Sequence, residues 1–305
     1  MPAQNTSHLL MIRPVHFGFN EQTAVNNSFQ QKNMDNDVQL NALKEFDDFV
    51  NKFRIAGVDV TVINDTATPH TPDSIFPNNW ISFHEDGTVI LYPMFAENRR
   101  AERKNNVLET IKQKFTVAKT IDLTAFEAED KFLEGTGSMV LDRENRIAYS
   151  CISPRTNEIL LNEFCKKADF LPCLFHAVDI NARDIYHTNV MMCVGDKYVV
   201  ICMESIKDGG EKKMVADTIL NSGKEIIEIS LNQTNRFAGN MLQVINNKGE
   251  KFLIMSTQAY QSLTAEQTDK LKSFNTIIHS SLNTIETNGG GSARCMMAEV
   301  FLPLR

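Results

Sequence analysis

The sequence predicts an α/β protein built as a ring of five small units, each reading hairpin, helix, strand. Three observations predict it. A β-hairpin pattern recurs four times along the 305 residues. Helical stripes of apolar residues fill the gaps between hairpins. The two chain ends supply strand-like runs for a fifth, incomplete unit.

The elements follow in chain order. Leu9–Arg13 reads as a strand, and the Asn/Gln-rich stretch Asn20–Val38 as a loop. Leu40, Leu43, Phe46, Phe49, Val50 and Phe53 recur at helical spacing and stop at Gly57. A short strand, Val58–Ile63, comes next. The four hairpins are Ser82–Pro93, turning at Asp86-Gly87; Ser138–Cys151, turning at Arg143–Asn145; Val190–Cys202, turning at Gly195-Asp196; and Met241–Met255, turning at Asn247–Gly249. Short Gly-, Asp- and Asn-rich loops between β-prone runs are the hairpin signature. The turns recur at roughly 50–60 residues, the size of one supersecondary unit.

Helical stripes follow the hairpins at Val107, Leu108, Ile111 and Phe115, at Ile159, Leu160 and Phe164, and at Val215, Ile219 and Leu220 before Gly223. Thr264 and Gln267 make a capping box ahead of Leu271 and Phe274. Strands are expected after these helices at Thr116–Leu123, Ile226–Ile229 and Thr276–His279. The C-terminal run Met296–Leu302 is expected to pair with Leu9–Arg13. That pairing closes the ring and removes exposed sheet edges. One domain spanning 1–305 is the resulting expectation.

Composition excludes several classes. Hydrophobic residues at 42% and charged residues at 23% describe a globular chain, not a disordered or fibrous one. No apolar run reaches the roughly 18–20 residues of a membrane helix. The N-terminus has no basic region followed by a long apolar stretch, so no secretory signal is expected. A net charge of −7 argues against nucleic acid as a partner. The six cysteines show no C-x-x-C pair and no zinc-finger spacing. Dispersed cysteines fit a reducing compartment, and the expected location is the cytoplasm.

Polar segments just before each hairpin carry the chemistry. They are Thr71–Trp80, Phe132–Ser138, Asp184–Val190, Arg236–Asn240 and, before the C-terminal strand, Asn288–Cys295. In a pseudo-symmetric ring, equivalent positions meet at the axis. Glu134, His187, Cys295, Asn79 and Asn189 would then converge. Cys295 follows Gly289-Gly290-Gly291, a run that permits close backbone approach or positive φ. Cys, His and Glu together supply nucleophile, acid/base and orienter. No H-E-x-x-H or close ligand pair supports a metal, and no cofactor is expected. Trp80 reads as core filling.

At these residues the sequence resembles the guanidino-modifying superfamily of arginine deiminases, dimethylarginine hydrolases and amidinotransferases. The motifs are FPNN, EGTGS, YHTN, SPRT (Ser153–Thr156) and GGGSARCM, and they span nearly the whole chain. The resemblance implies a pentein: five ββαβ units in a propeller-like ring around a central active-site cavity. It implies Cys295 as nucleophile, His187 as general acid/base, and Glu134 as the carboxylate that bonds substrate nitrogen and holds proton positions. It implies Arg155 as a grip for the substrate carboxylate, which suits bidentate recognition. Asp73 and Phe76 match the family's substrate loop. His187 and Arg294 are expected to help form the thiolate.

Two departures redirect the substrate. The deiminase pattern clamps a cationic guanidinium with two aspartates; here those positions are Asn79 and Asn189. A guanidinium offers only donors, whereas a ureido group is neutral and carries a carbonyl acceptor. Asparagine offers both a donor and an acceptor. Each lost charged hydrogen bond weakens arginine binding by roughly 1.5–3 kcal/mol. The resemblance thus points to the citrulline ureidase branch, converting citrulline and water to ornithine, carbon dioxide and ammonia. The alternatives are an amidinotransferase, an arginine or methylarginine hydrolase, and a non-catalytic binding protein on the same fold. The expected partner is a small amino-acid substrate; whether the chain forms a homo-oligomer is not legible.

Overall fold

The computed structural model describes residues 3–32 and 37–305. Of the loop expected over Asn20–Val38, positions 33–36 lie outside the described residues. The rest of that stretch includes a short helix, Glu21–Ala24, capped by the Asn20 side chain.

Among the described residues, fifteen strands build five sheets of three. They are β1 His8–Arg13, β2 Asp59–Asn64, β3 Ile81–Phe83, β4 Thr88–Leu91, β5 Lys119–Asp122, β6 Val140–Asp142, β7 Ile147–Cys151, β8 Leu171–Phe175, β9 Met192–Val194, β10 Tyr198–Ile201, β11 Glu225–Glu228, β12 Leu242–Ile245, β13 Lys251–Ser256, β14 Thr276–Ser280 and β15 Ala298–Glu299. Each central strand pairs antiparallel with one neighbour and parallel with the other, as in β3-β4-β5 and β12-β13-β14. A parallel pair needs a crossover. Helices Val38–Ala56, Asn105–Lys114, Glu158–Ala168, Gly209–Asn221 and Ala265–Lys272 supply the five crossovers.

The chain ends complete the ring as expected. β1 pairs antiparallel with β15, placing Leu9 opposite Glu299 and Leu10 opposite Ala298, and parallel with β2. The Thr6 carbonyl then accepts from the Ile245 amide at 3.1 Å, tying this sheet to the β12 sheet.

Local chemistry explains most boundaries. The long helix stops where Gly57 takes φ +79°, and its buried face is Ala42, Phe46, Phe49, Val50 and Phe53. The Thr264/Gln267 capping box forms in both directions, and a cap of this kind contributes about 1 kcal/mol. Leu40, Ile159 and Leu220 leave the expected stripes and are exposed. Strand β8 was not expected. It carries Pro172 and pairs only with β7, and an edge strand tolerates a missing N–H. The expected strand Thr116–Leu123 shortens because Phe115 bridges to Leu304 and the Thr116 amide to the Pro303 carbonyl. Trp80 is core, as read. All six cysteines are free. Among the described residues, no helix is long and apolar enough to cross a membrane.

The topology has one consequence for function. A single helical turn precedes the first strand of four units: Pro77–Asn79, Gly135–Ser138, Thr188–Val190 and Ala293–Met296. These turns pack on one another at one end of the ring, and the hairpin turns lie at the other end.

On β3's hairpin, His84 is buried with Nε2 2.9 Å from Ser82 Oγ, which also meets the Tyr92 hydroxyl at 2.6 Å. Burial, aided by Arg143, lowers its pKa from 6.5 to about 3. The unfolded chain therefore binds this proton first, and stability is lost as pH falls through 6.5. By linkage the effect reaches about 2 kcal/mol at pH 5. In urea unfolding, the stability of the wild type relative to His84→Gln should fall by that amount between pH 8 and pH 5. A pH-independent difference would contradict the assignment.

Candidate active site

The turns before the first strands deliver the predicted residues to one cavity. Its wall includes Asp73, Phe76, Asn79, Arg155, His187 and Cys295. Glu134 and Asn189 are fully buried just behind it. Two of the five pre-hairpin segments also contribute residues that the sequence reading did not single out: Tyr186 on the wall and Asn240 beside the cysteine.

Glu134 and His187 form a pair. Glu134 Oε2 lies 2.8 Å from His187 Nε2. Burial alone would raise Glu134, but Arg155, His187 and Arg99 outweigh it and hold the carboxyl well below the usual range. Burial lowers His187 to about 4 against the pull of Glu134. At neutral pH the pair is thus carboxylate and neutral imidazole. The ionised carboxylate needs a donor, so Nε2 carries the hydrogen and Nδ1 keeps its lone pair. Glu134 Oε1 accepts from the Phe95 amide at 3.0 Å. Through these bonds Glu134 orients His187 from behind the cavity wall.

Cys295 Sγ is held by amides. Asn240 Nδ2 is 3.3 Å away and Asn189 Nδ2 3.5 Å. Both amides thus face the sulfur of Cys295. Arg294 turns away: it bonds the Met297 carbonyl at 2.7 Å and Glu299 at 2.7 Å. Its guanidinium, expected to help form the thiolate, is thus engaged away from the sulfur. Its backbone N–H donates to Asn240 Oδ1 at 2.9 Å and so fixes which end of that amide meets sulfur.

The glycines have separate reasons. Gly290 has φ +62°, closing the helix Asn283–Gly289. A Cβ on Gly289 or Gly291 would come within 2.9 Å of the Phe76 ring. In EGTGS, a Cβ on Gly137 would sit 2.4 Å from Asn79 Nδ2 and 2.8 Å from the His187 ring. Gly137→Ala should therefore displace both groups. Misplacement of this order costs about 10²-fold in turnover, with about 1–3 kcal/mol of stability. Steady-state rates within about 3-fold of wild type would show that the two groups tolerate the methyl.

Arg99 is the main residue missed. It is fully buried and forks onto Glu102 at 2.8 and 2.9 Å. Burial opposes its charge, but Glu102, Asp73 and Glu134 prevail and raise its pKa. Its Nη1 donates to Asn79 Oδ1 at 2.8 Å, and its Nη2 to the Phe76 carbonyl at 3.1 Å. Asn79 Nδ2 is left buried without a partner. Asp73 accepts from Asn20 at 2.8 Å and Thr23 at 3.1 Å through Oδ2, while its buried Oδ1 has no partner. Arg155 stacks 4.9 Å above Tyr186 and donates to the Thr23 carbonyl at 2.8 Å and Asn26 Oδ1 at 2.9 Å. Residues of the N-terminal segment thus occupy Nε and Nη2 of the guanidinium expected to grip a substrate carboxylate, while Nη1 lies 3.5 Å from Glu134.

Comparison with known structures matches this architecture. The N-terminal domain of ArgZ bound to product, described as an arginine dihydrolase from the ornithine-ammonia cycle in cyanobacteria, superposes with TM-score 0.77 at 18% identity, covering 97% of this chain and 98% of that one. Unliganded AgrE gives TM-score 0.76 at 18% identity, covering 98% of this chain but 40% of that one. A dimethylarginine dimethylaminohydrolase adduct with S-methyl-L-thiocitrulline gives 0.66 at 14% identity, covering 97% and 99%. These likenesses show the fold: the five-sheet ring is a pentein. No curated protein matches the chain in sequence. Across residues 13–302, however, it matches one family profile, and the chain belongs to the family described as N,N dimethylarginine dimethylhydrolase, eukaryotic, within the guanidino-modifying superfamily.

Proposed function

We propose that the protein is a C–N hydrolase acting on the ureido group of citrulline, releasing ornithine, carbon dioxide and ammonia through a cysteine-linked intermediate. One observation carries the substrate choice. Arg99 donates to Asn79 Oδ1, which fixes the NH2 end of the amide on the side of Gly137 and His187, where it has no partner among the described residues. An orphaned buried donor costs about 1–3 kcal/mol until an acceptor arrives. A ureido carbonyl oxygen is such an acceptor; a guanidinium, which has only donors, is not.

In this reading the Cys295 thiolate adds to the ureido carbon and pushes the carbonyl electrons onto oxygen, which Asn79 Nδ2 stabilises. The thiol proton, taken up by His187 Nδ1 as the thiolate forms, is returned by the imidazolium to one departing nitrogen as the adduct collapses. Water, deprotonated by His187 Nδ1, then cleaves the carbamoyl-type thioester to a carbamic acid, the imidazolium returns its proton to Sγ, and the carbamic acid loses carbon dioxide as its own proton passes to the second nitrogen. The sum is citrulline plus water giving ornithine, carbon dioxide and ammonia. Asp73 Oδ1, an acceptor without a partner, receives a ureido N–H.

The same free Asp73 oxygen favours a second reading, a guanidino substrate such as the dimethylarginine of the family's description. Ammonia and amine release from citrulline, arginine and dimethylarginine, assayed side by side, decides between them. Turnover of citrulline alone is expected. Turnover of arginine or dimethylarginine without citrulline would overturn the ureido reading.

A further inference from the structure

A larger cavity lies at the other end of the ring. His84 to Asp86 come from the β3-β4 hairpin turn, Arg143 and Arg146 from the β6-β7 turn, and Phe301 from just beyond β15. The catalytic turns precede β3, β6 and β15, so these residues sit at the opposite ends of the same strands. The cavity is about 330 Å³, enough for a small organic molecule.

Three of its four cations have close carboxylate partners. Arg146 pairs with Glu85 at 2.7 Å, Lys119 with Asp86 at 3.3 Å, and Lys167 with Glu163 at 3.0 Å. Arg143 is different. It is 5% exposed, and its guanidinium makes no hydrogen bond among the described residues. Its nearest carboxylate oxygen, on Glu299, is 3.8 Å away. The other oxygen of Glu299 is held by Arg294. Arg143 instead lies flat over the Phe301 ring, 4.0 Å from its centroid. Stacking leaves the fork edge open to the cavity that Arg143 lines. A buried guanidinium without a hydrogen-bonded anion is costly.

We propose that this cavity binds a small organic monocarboxylate, with its carboxylate forked onto Arg143 and its apolar body against Phe170 and Phe301. The fork geometry suits two parallel N–H···O bonds. The wall suits a monoanion better than a dianion, because Glu85, Asp86 and Asp169 lie on it among the cations. A phosphate, carrying about −1.5 to −2 at pH 7, leaves a second charge unmatched beside three carboxylates.

Benzoate is the probe, titrated into the full chain by calorimetry and thermal shift, with benzamide and inorganic phosphate as comparators. Benzoate should bind at least about 10-fold more tightly than either comparator. Arg143→Gln should weaken it at least about 10-fold, and Arg143→Lys, which keeps the charge without the fork, by a smaller factor. Arg155→Gln should leave benzoate affinity unchanged. Loss of binding in Arg155→Gln would place the anion in the catalytic cavity and overturn the proposal. So would equal affinity for phosphate or benzamide, or undiminished affinity in Arg143→Lys. The lysine variant covers the case in which Arg143→Gln does not fold, as judged by circular dichroism.

Discussion

Cys295→Ser is expected to abolish ammonia release from citrulline, by at least about 10³-fold, while leaving the fold intact. Nucleophile deletions in enzymes with covalent intermediates produce losses of this size or larger. The structure gives the reason here. Sγ receives N–H donors from Asn240 and Asn189 at 3.3 and 3.5 Å, which fix its position on the cavity wall. A serine hydroxyl is not ionised at neutral pH, and His187 does not bond directly to the 295 side chain. The neutral imidazole bonds Glu134 instead. Serine thus has neither charge nor a base in contact. The substitution removes little volume from a buried site, so the thermal midpoint should move by a few degrees at most. The check is single-turnover ammonia release together with circular dichroism. Folded variant retaining a rate within 10-fold of wild type would remove Cys295 from the nucleophile role.

Much of this site was legible because the chain repeats. Once four hairpins were recognised, the segment before each became an equivalent position, and Cys295, His187, Glu134 and Asn79 followed. Asn240 stood at such a position as well. It carried no titratable group, so nothing in its identity pointed to sulfur. Arg99 and Glu102 were hidden for a different reason. They lie in ENRRAERK (Glu97–Lys104), which reads as a solvated charged helix, and the i, i+3 spacing of the pair is common on surfaces. Only tertiary structure shows that the pair is fully buried. Strand β8 was concealed by its own edge position. LPCLF (Leu171–Phe175) carries a proline, and its first residue is exposed, so neither alternation nor β-propensity marked it.

The sequence alone treated Asn79 and Asn189 as one substrate clamp, and the structure separates them. Asn189→Asp would set a carboxylate against Sγ, raising the thiol pKa and harming every substrate alike. Asn79→Asp tests specificity cleanly. Its first oxygen would keep Arg99 Nη1 as partner, now as an ion pair. Its second oxygen would stand where Nδ2 stood, replacing a donor with an acceptor. For citrulline, a hydrogen bond to the ureido oxygen becomes an oxygen–oxygen repulsion. For arginine, a guanidinium N–H gains a charged acceptor, worth about 1.5–3 kcal/mol. The ratio of kcat/KM for citrulline to that for arginine should therefore fall by at least about 10²-fold. Arg99→Met provides the complementary measurement. Without the guanidinium, the Asn79 amide is free to rotate and present Oδ1, so selectivity should relax in the same direction by a smaller factor. An unchanged ratio in Asn79→Asp, with the variant folded and Cys295 still reactive toward iodoacetamide, would show that the Arg99–Asn79 contact does not choose the substrate.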